Sequence, residues 1–399
     1  MEEKGISRRG FIRGSAQVLG SALIASNLIG DTAPTRDKEK SLVFRVRNSP
    51  RPLGENYHKG FEALLDLMGK NGLKFYKTTK PGNNSGPEGI IAKDDLVLIK
   101  VNGQWRYRGT TNSDVIRGLI QRILDHPDGF EGEIVIFDNG QGEGSLAGDA
   151  HGWGHYPDTK VHANAEDELH SFTYLADEVF DGKNVSCYLL DDIREIFISA
   201  DDHKTDGYRR LNDVSYPCFT TAAGKRCELK EGIWTRQPVY AQNLKLINVP
   251  VLKHHQGCGV TACLKNFYGV LSMDDGFRRP RHYDLLGKHT GKMISSVRAP
   301  VLNILDCIWV SLVNHYGFPA ENTHRLNELL ASTDPVALDY WASKYILSTL
   351  EREEHHPDEF EPLRNYLADA ATVINTYGGI GGKKVKMRDE NIRLIEYAF

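Results

Sequence analysis

The 399-residue sequence contains no Cys-x-x-Cys pair, no internal repeat, no low-complexity tract and, after its first thirty residues, no long apolar run. Without Cys-x-x-Cys there is no ferredoxin-type cluster run, and the commonest zinc spacings are missing as well. Without a long apolar run a polytopic membrane protein is excluded, in keeping with a mean hydropathy of −0.42. An excess of positive charge is also lacking: 49 Lys+Arg against 53 Asp+Glu leave a net charge of −4. A dedicated nucleic-acid binder would carry a strongly basic surface, so no nucleic-acid partner is expected. What is present is ordinary globular composition, 40% hydrophobic and 9% aromatic. That is enough for one large core or two smaller ones, and it rules out a chain disordered throughout.

The first thirty residues differ from the rest. Ser7-Arg8-Arg9-Gly10-Phe11-Ile12-Arg13 precedes a weakly apolar, charge-free stretch from Ser15 to Gly30. This resembles a twin-arginine export signal, with Ile12 and Arg13 in place of the commoner Leu and Lys. Residues 1–33 are therefore read as the signal segment, the twin-arginine translocase as a transient partner, and the destination as periplasmic or extracytoplasmic. The stretch is short for a bilayer span, so no stable membrane anchor is expected. Six cysteines (Cys187, Cys218, Cys227, Cys258, Cys263 and Cys307) would then meet an oxidising compartment. Cys218 and Cys227 flank a turn at Ala222-Ala223-Gly224 and either pair across a hairpin or stay as buried thiols.

From residue 41 onward, strands and helices alternate. Strands are expected at 41–47, 73–77, 95–101, 133–138, 184–190, 212–221, 227–234, 243–252, 300–306 and 392–397. Helices are expected at 56–69, from the cap at 110–113 through His126, near 260–268, at 335–350 and at 359–376. A short apolar turn is expected at 329–331. Alternation of this kind predicts an α/β fold: a mostly parallel central sheet with helices on both faces, spanning 41–399, plus a small antiparallel β-rich insertion at 184–240. Residues 139–166 show no periodicity and read as a loop insertion.

Ligands of open parallel sheets bind beyond the carboxyl ends of the strands. Four expected strands end there in polar groups: Lys100 and Asn102; Asp138; Lys253-His254-His255; and Asp306. The densest run is Pro250 to Gly269. There a strand delivers a lysine and two imidazoles into a glycine-bearing loop, Thr261 opens a helix whose free N–H groups favour an anion, and Lys265 follows one turn on. Asp334 before Pro335 reads as a helix N-cap. Asp339, inside an apolar helix face, requires a partner such as a lysine or a metal.

At these residues the chain resembles the DUF362 proteins, a domain of unknown function, over about residues 90–350. The resemblance rests on Val97-Leu98-Ile99-Lys100-Val101-Asn102, on Pro250–Gly269, and on Ser332-Thr333-Asp334-Pro335-Val336-Ala337-Leu338-Asp339. By position it marks Lys100, Asn102, Lys253, His255, Thr261, Lys265, Asn266, Asp334 and Asp339. Some relatives carry an appended four-iron ferredoxin domain; this chain departs from them in having no Cys-x-x-Cys-x-x-Cys run.

Three functions compete. The first is an exported enzyme acting on a small anionic molecule, with Lys253 and Lys265 holding the anion, His255 as general acid or base, and Asp138 or Asp306 orienting it or holding a divalent cation. The second is a metal-associated or iron–sulfur-associated redox protein, for which His254, Cys258 and, in the long loop, His151 and His155 are metal candidates. The third is a non-catalytic exported binding protein using the same anion cleft. Two motifs carry little. Gly140-Gln141-Gly142-Glu143-Gly144 follows a strand, but no helix pattern follows it as a dinucleotide site demands. Arg278-Arg279-Pro280-Arg281-His282 lacks the interleaved aromatics of a nucleic-acid face and reads as a solvated or gating loop.

Overall fold

Strand β2 (Leu96–Val101) is fully buried, and its alternate residues divide between two cores: Leu96 and Leu98 on one side, Val97, Ile99 and Val101 on the other. A strand covered on both faces has no reason to alternate polar with apolar, which is why it reads as an apolar run. The computed structural model describes residues 40–52, 56–105, 107–140, 146–147, 162–237, 239–272, 282–312, 322–350 and 353–399, all within the unit Glu39–Phe399. The signal reading at 1–33, His151, His155 and most of the loop at 139–166 lie outside these residues.

β2 sits inside a ten-stranded sheet with β1 (Ser41–Arg47), β3 (Glu133–Asp138), β4 (Val185–Leu189), β5 (Leu244–Val249), β6 (Val251–His255), β7 (Gly259–Thr261), β8 (Leu302–Ser311), β9 (Thr323–Ser332) and β10 (Ile392–Ala398). The order is β10-β1-β9-β8-β5-β2-β3-β4, with β6 beside β8 and hairpinned to β7. The run β8-β5-β2-β3-β4 is parallel, and β9 is antiparallel to both its neighbours. Helices α1 (Lys59–Lys70) and α2 (Ser113–Leu124) cover one face; α3 (Cys263–Tyr268), α4 (Leu286–Lys292), α5 (Pro335–Ala342) and α6 (Glu361–Thr376) cover the other. The expected mixed α/β fold with a mostly parallel sheet is therefore found. No helix among the described residues is long and apolar enough to cross a membrane.

A separate five-stranded antiparallel sheet, from Gly207–Leu211 to Val239–Ala241, packs its inner face into the core that holds Leu96 and Leu98. Buried Glu228 holds it together, accepting from Arg209, from Tyr240 and, at 2.6 Å, from His203. The antiparallel part begins later than expected, because Val185–Leu189 joins the large sheet alongside β3. Within it, Cys218 lies opposite Glu228 and Cys227 opposite Phe219. Directly opposed residues share a face, so the two thiols point to opposite faces and cannot bridge. All six cysteines are free.

Several expected elements differ, among them the strand at 227–234, which is two, Arg226–Glu228 and Gly232–Gln237, and one helix was not expected. The single strand at 243–252 is two, because Pro250 has no N–H to give a ladder; its carbonyl accepts from the Asp306 N–H at 2.9 Å, and the chain steps from beside β2 to beside the outer part of β8. The apolar turn at 329–331 is the inner end of ten-residue β9. Its outer half, His324 to Glu328, is less buried and polar, so only the inner end shows in the hydropathy. Helix α4 has too little apolar period to be read from sequence, yet it packs along α6 through Gly287 and Gly291, where a Cβ would meet the Tyr366 and Ala370 carbonyls at 2.2 and 3.0 Å.

Candidate functional site

The carboxyl ends of β2, β3 and β6 deliver Lys100, Asp138 and Lys253 to one buried place, and α3 adds Lys265 and Asn266. Lys100 forms an ion pair with Asp138, and its Nζ also donates to the Val101 carbonyl at 2.7 Å and to Asn266 Oδ1 at 3.3 Å. Asp138 accepts in addition from the Gly103 N–H. Lys253 donates to Asn102 Oδ1 at 3.2 Å and to the Gly109 carbonyl. Asn102 is held by its own N–H, which donates to Thr111 Oγ1 at 2.8 Å. Thr261, opposite Lys253 in the β6–β7 hairpin, shares its face. A Cβ at Gly269, after α3, would stand 3.3 Å from Lys100 Nζ and 3.5 Å from Asp138 Oδ1, so glycine leaves that side open to the pair.

Charge balance is the unusual property of this place. Lys100 and Lys253 are each 1% exposed. Among the described residues neither Lys253 nor Lys265 has a carboxylate at ion-pair distance, so three amines share one anion, Asp138. Burial holds Lys253 well below the ordinary lysine range, and the neighbouring Lys265 and Lys100 push it further down. Lys100 is lowered by burial against the opposing pull of Asp138. Half-buried Lys265 is lowered to about 8, by burial first, with Lys100 adding to the shift while Cys258 and Asp138 oppose it. Its Nζ lies 5.7 Å from the centre of the Tyr268 ring.

His255 closes the outer side. Its Nδ1 is 3.1 Å from Cys258 Sγ, and its ring lies 5.7 Å from that of His282, which in turn stands edge-on to Tyr268 at 5.9 Å. Burial pushes the Cys258 thiol up to about 11, so this sulfur is a thiol at neutral pH and not a prepared nucleophile. His282 and Tyr268 were not singled out from sequence. His282 belongs to the basic run whose arginines lie outside the described residues.

The remaining carboxylates serve the backbone. Asp306, pushed up by burial to about 7, accepts from the Asn112 N–H at 2.7 Å and the Ile308 N–H at 2.9 Å. Asp334 caps α5 through the Val336 and Ala337 N–H groups at 3.0 Å and also accepts from the Lys386 N–H. Asp339 finds its partners in the first turn of α3, accepting from the Cys263 and Leu264 N–H groups at 2.7 and 2.9 Å. The helix end where sequence placed a guest anion is thus filled by the protein's own carboxylate. Burial holds Asp339 at about 7.

That value fixes a pH dependence. Asp339 binds a proton more tightly folded than unfolded, so its contribution to stability is fullest below pH 4 and declines as pH rises from about 4 to 7. Asp339→Asn removes this dependence and one backbone acceptor together. The deficit of the variant relative to the natural chain should therefore be larger at pH 5 than at pH 7.5, by about 2 kcal/mol, in urea melts at the two pH values. An equal deficit at both would show that Asp339 titrates normally.

Sequence reasoning missed a row of amides beneath the lysines. Across β2, β5, β8 and β9, Lys100, Asn248, Asn303 and Ser332 stand in register. Asn266 bonds to Asn248 at 2.8 Å, Asn248 to Asn303 at 3.0 Å, and Asn303 to the Ser332 carbonyl at 3.3 Å. An asparagine in the otherwise apolar Leu246-Ile247-Asn248-Val249 was the available signal, because a buried amide needs partners.

No curated protein matches the chain. Residues 220–344 match the family described as Domain of unknown function (DUF362), a stretch that carries Lys253, His255, Thr261, Lys265, Asn266, Asp306, Asp334 and Asp339 and leaves Lys100, Asn102 and Asp138 outside it, so over those residues the chain is similar to that family.

Proposed function

We propose that the chain binds a small anionic molecule at the carboxyl ends of β2, β3 and β6, with Lys265 and Lys253 as its direct contacts and His255 at the entrance. The observation that carries this is the shared carboxylate: two buried amines and the half-buried Lys265 gather around Asp138, and the set lacks the negative charge that would make their burial favourable. A carboxylate or phosphate supplies it and gains charge-assisted hydrogen bonds in return. A chemical step is within reach of the same groups. With Asn102 and Gly109 taking two of its hydrogens, Lys253 keeps its third for the anion, and His255 at the entrance is placed for general acid or base work on the bound molecule.

Calorimetric titration of the folded chain with inorganic phosphate, malonate and a phosphate monoester tests the reading. At least one should bind at pH 7 and raise the melting midpoint, and binding should fall as pH rises through about 8, where Lys265 gives up its proton. Absence of binding by all three, or binding indifferent to pH between 7 and 9.5, would count against it.

We further propose that this happens after export, on the strength of Ser7-Arg8-Arg9-Gly10-Phe11 and the apolar stretch behind it. Cell fractionation should find the chain outside the cytoplasm. Exchange of both Arg8 and Arg9 for lysine should hold it inside, and an unchanged distribution would end the export reading.

A further inference from the structure

Side chains alternate across a strand, so Lys253 and His255 share one face of β6 while His254, between them, faces the other way. There His254 meets a one-turn helix, Glu353–His355, that no motif predicted. His254 Nδ1 lies 2.9 Å from His355 Nε2 and 3.4 Å from Glu354 Oε1. One donor atom from each of the three residues falls within 4.8 Å of the others. The two imidazoles are buried, whereas the Glu354 side chain is 34% exposed. The turn is pressed onto the β6–β7 hairpin at Gly259, whose φ is +83° and where a Cβ would stand 2.8 Å from the Glu354 carbonyl.

We propose that His254, His355 and Glu354 form a binding site for a divalent transition-metal ion of the zinc type, held by His254 Nδ1, His355 Nε2 and a Glu354 oxygen. Two ring nitrogens cannot meet at 2.9 Å with both lone pairs forward, so either a hydrogen carried by one of the rings or a metal ion in its place lies between them. Tetrahedral coordination at about 2.0–2.1 Å sets neighbouring donors roughly 3.3 Å apart. The His254–Glu354 edge already has that length, and the His254–His355 edge needs to open by only about 0.4 Å. Two imidazoles and a carboxylate are the protein donors of an open zinc site, leaving a fourth position for water on the exposed Glu354 side. The site is independent of the lysine cleft, since nothing in it requires an anion to bind.

The test uses the full chain, stripped with chelator and titrated with Co2+ while its visible d–d bands are followed, then displaced with Zn2+. One equivalent should bind with tetrahedral-type bands. His254→Gln and His355→Gln should weaken Co2+ binding at least about 100-fold, a scale that loss of a mere outer partner can reach. Glu354→Gln changes a partly exposed group, leaves the fold intact and should weaken binding at least about tenfold, so a failure of the buried histidine variants to fold does not leave the question open. Lys253→Met should retain the metal in full. No bands in the natural chain, or bands unchanged in Glu354→Gln and in a folded His254→Gln, would overturn the proposal and leave the pair as a shared-proton contact.

Discussion

Asp138→Asn should destabilise the folded chain by about 3–5 kcal/mol at pH 7, the cost of leaving a buried charge without its partner. The substitution preserves shape and an acceptor for the Gly103 N–H, so the loss is electrostatic. Lys100 keeps the Val101 carbonyl and Asn266 Oδ1, but three amines then have no anion among them. Relief comes only by shedding protons. In the variant the folded-state pKa of Lys100 drops further below the unfolded value, so the unfolded chain binds more protons and stability rises with pH. Denaturant melts should therefore show the deficit shrinking between pH 7 and pH 9.5. A loss under about 1 kcal/mol at pH 7, or one equally large at both pH values, would show that Asp138 is not the cluster's common counter-charge.

Lys253→Met should abolish anion binding, weakening it by about 100-fold or more, which is near 2.7 kcal/mol and within what a charge-assisted hydrogen bond to a buried amine is worth. Stability should change far less. Two donors are lost to Asn102 and Gly109, but so is an amine that Lys100 and Lys265 repel. Methionine fills nearly the same space. Titration of the variant with the same phosphate, malonate and phosphate monoester decides the point, with Lys265→Met as companion because that side chain is only half-buried. Binding retained within about threefold in both variants would leave the lysines a structural role only.

The parts of the site that were legible in sequence are those where an apolar run inside a buried strand meets a charged residue near its carboxyl end, as at Lys100 in β2, Asp138 in β3 and Lys253 in β6. Burial on both faces makes any polar residue there conspicuous. What stayed hidden depends on partners far away in the chain. Asp339 caps α3 some 75 residues earlier, and no local pattern announces that a carboxylate's partner is backbone. Glu354 and His355 occupy a single turn with no period of its own. The parallel pairing of β1 with β10 joins the two ends of the described chain, where each strand by itself reads only as half-buried. Asn248 and Asn303 are partners only in the register that sets their two strands side by side, 55 residues apart in the chain.

That register has an electrical consequence. From Asn266 to Asn248, Asn248 to Asn303 and Asn303 to Ser332, every amide hands its hydrogen onward in the same sense, so the oxygen end of the chain of dipoles is turned toward the Lys100 ammonium. Aligned dipoles reinforce one another, as they do along a helix axis. Reversing one would set two like ends together, so the row is polarised as a unit, a battery with its negative pole at Lys100. It lets Asp138 and the strands satisfy the innermost amine by themselves, and so leaves the outer two, Lys253 and Lys265, as the pair whose charge still awaits a visitor.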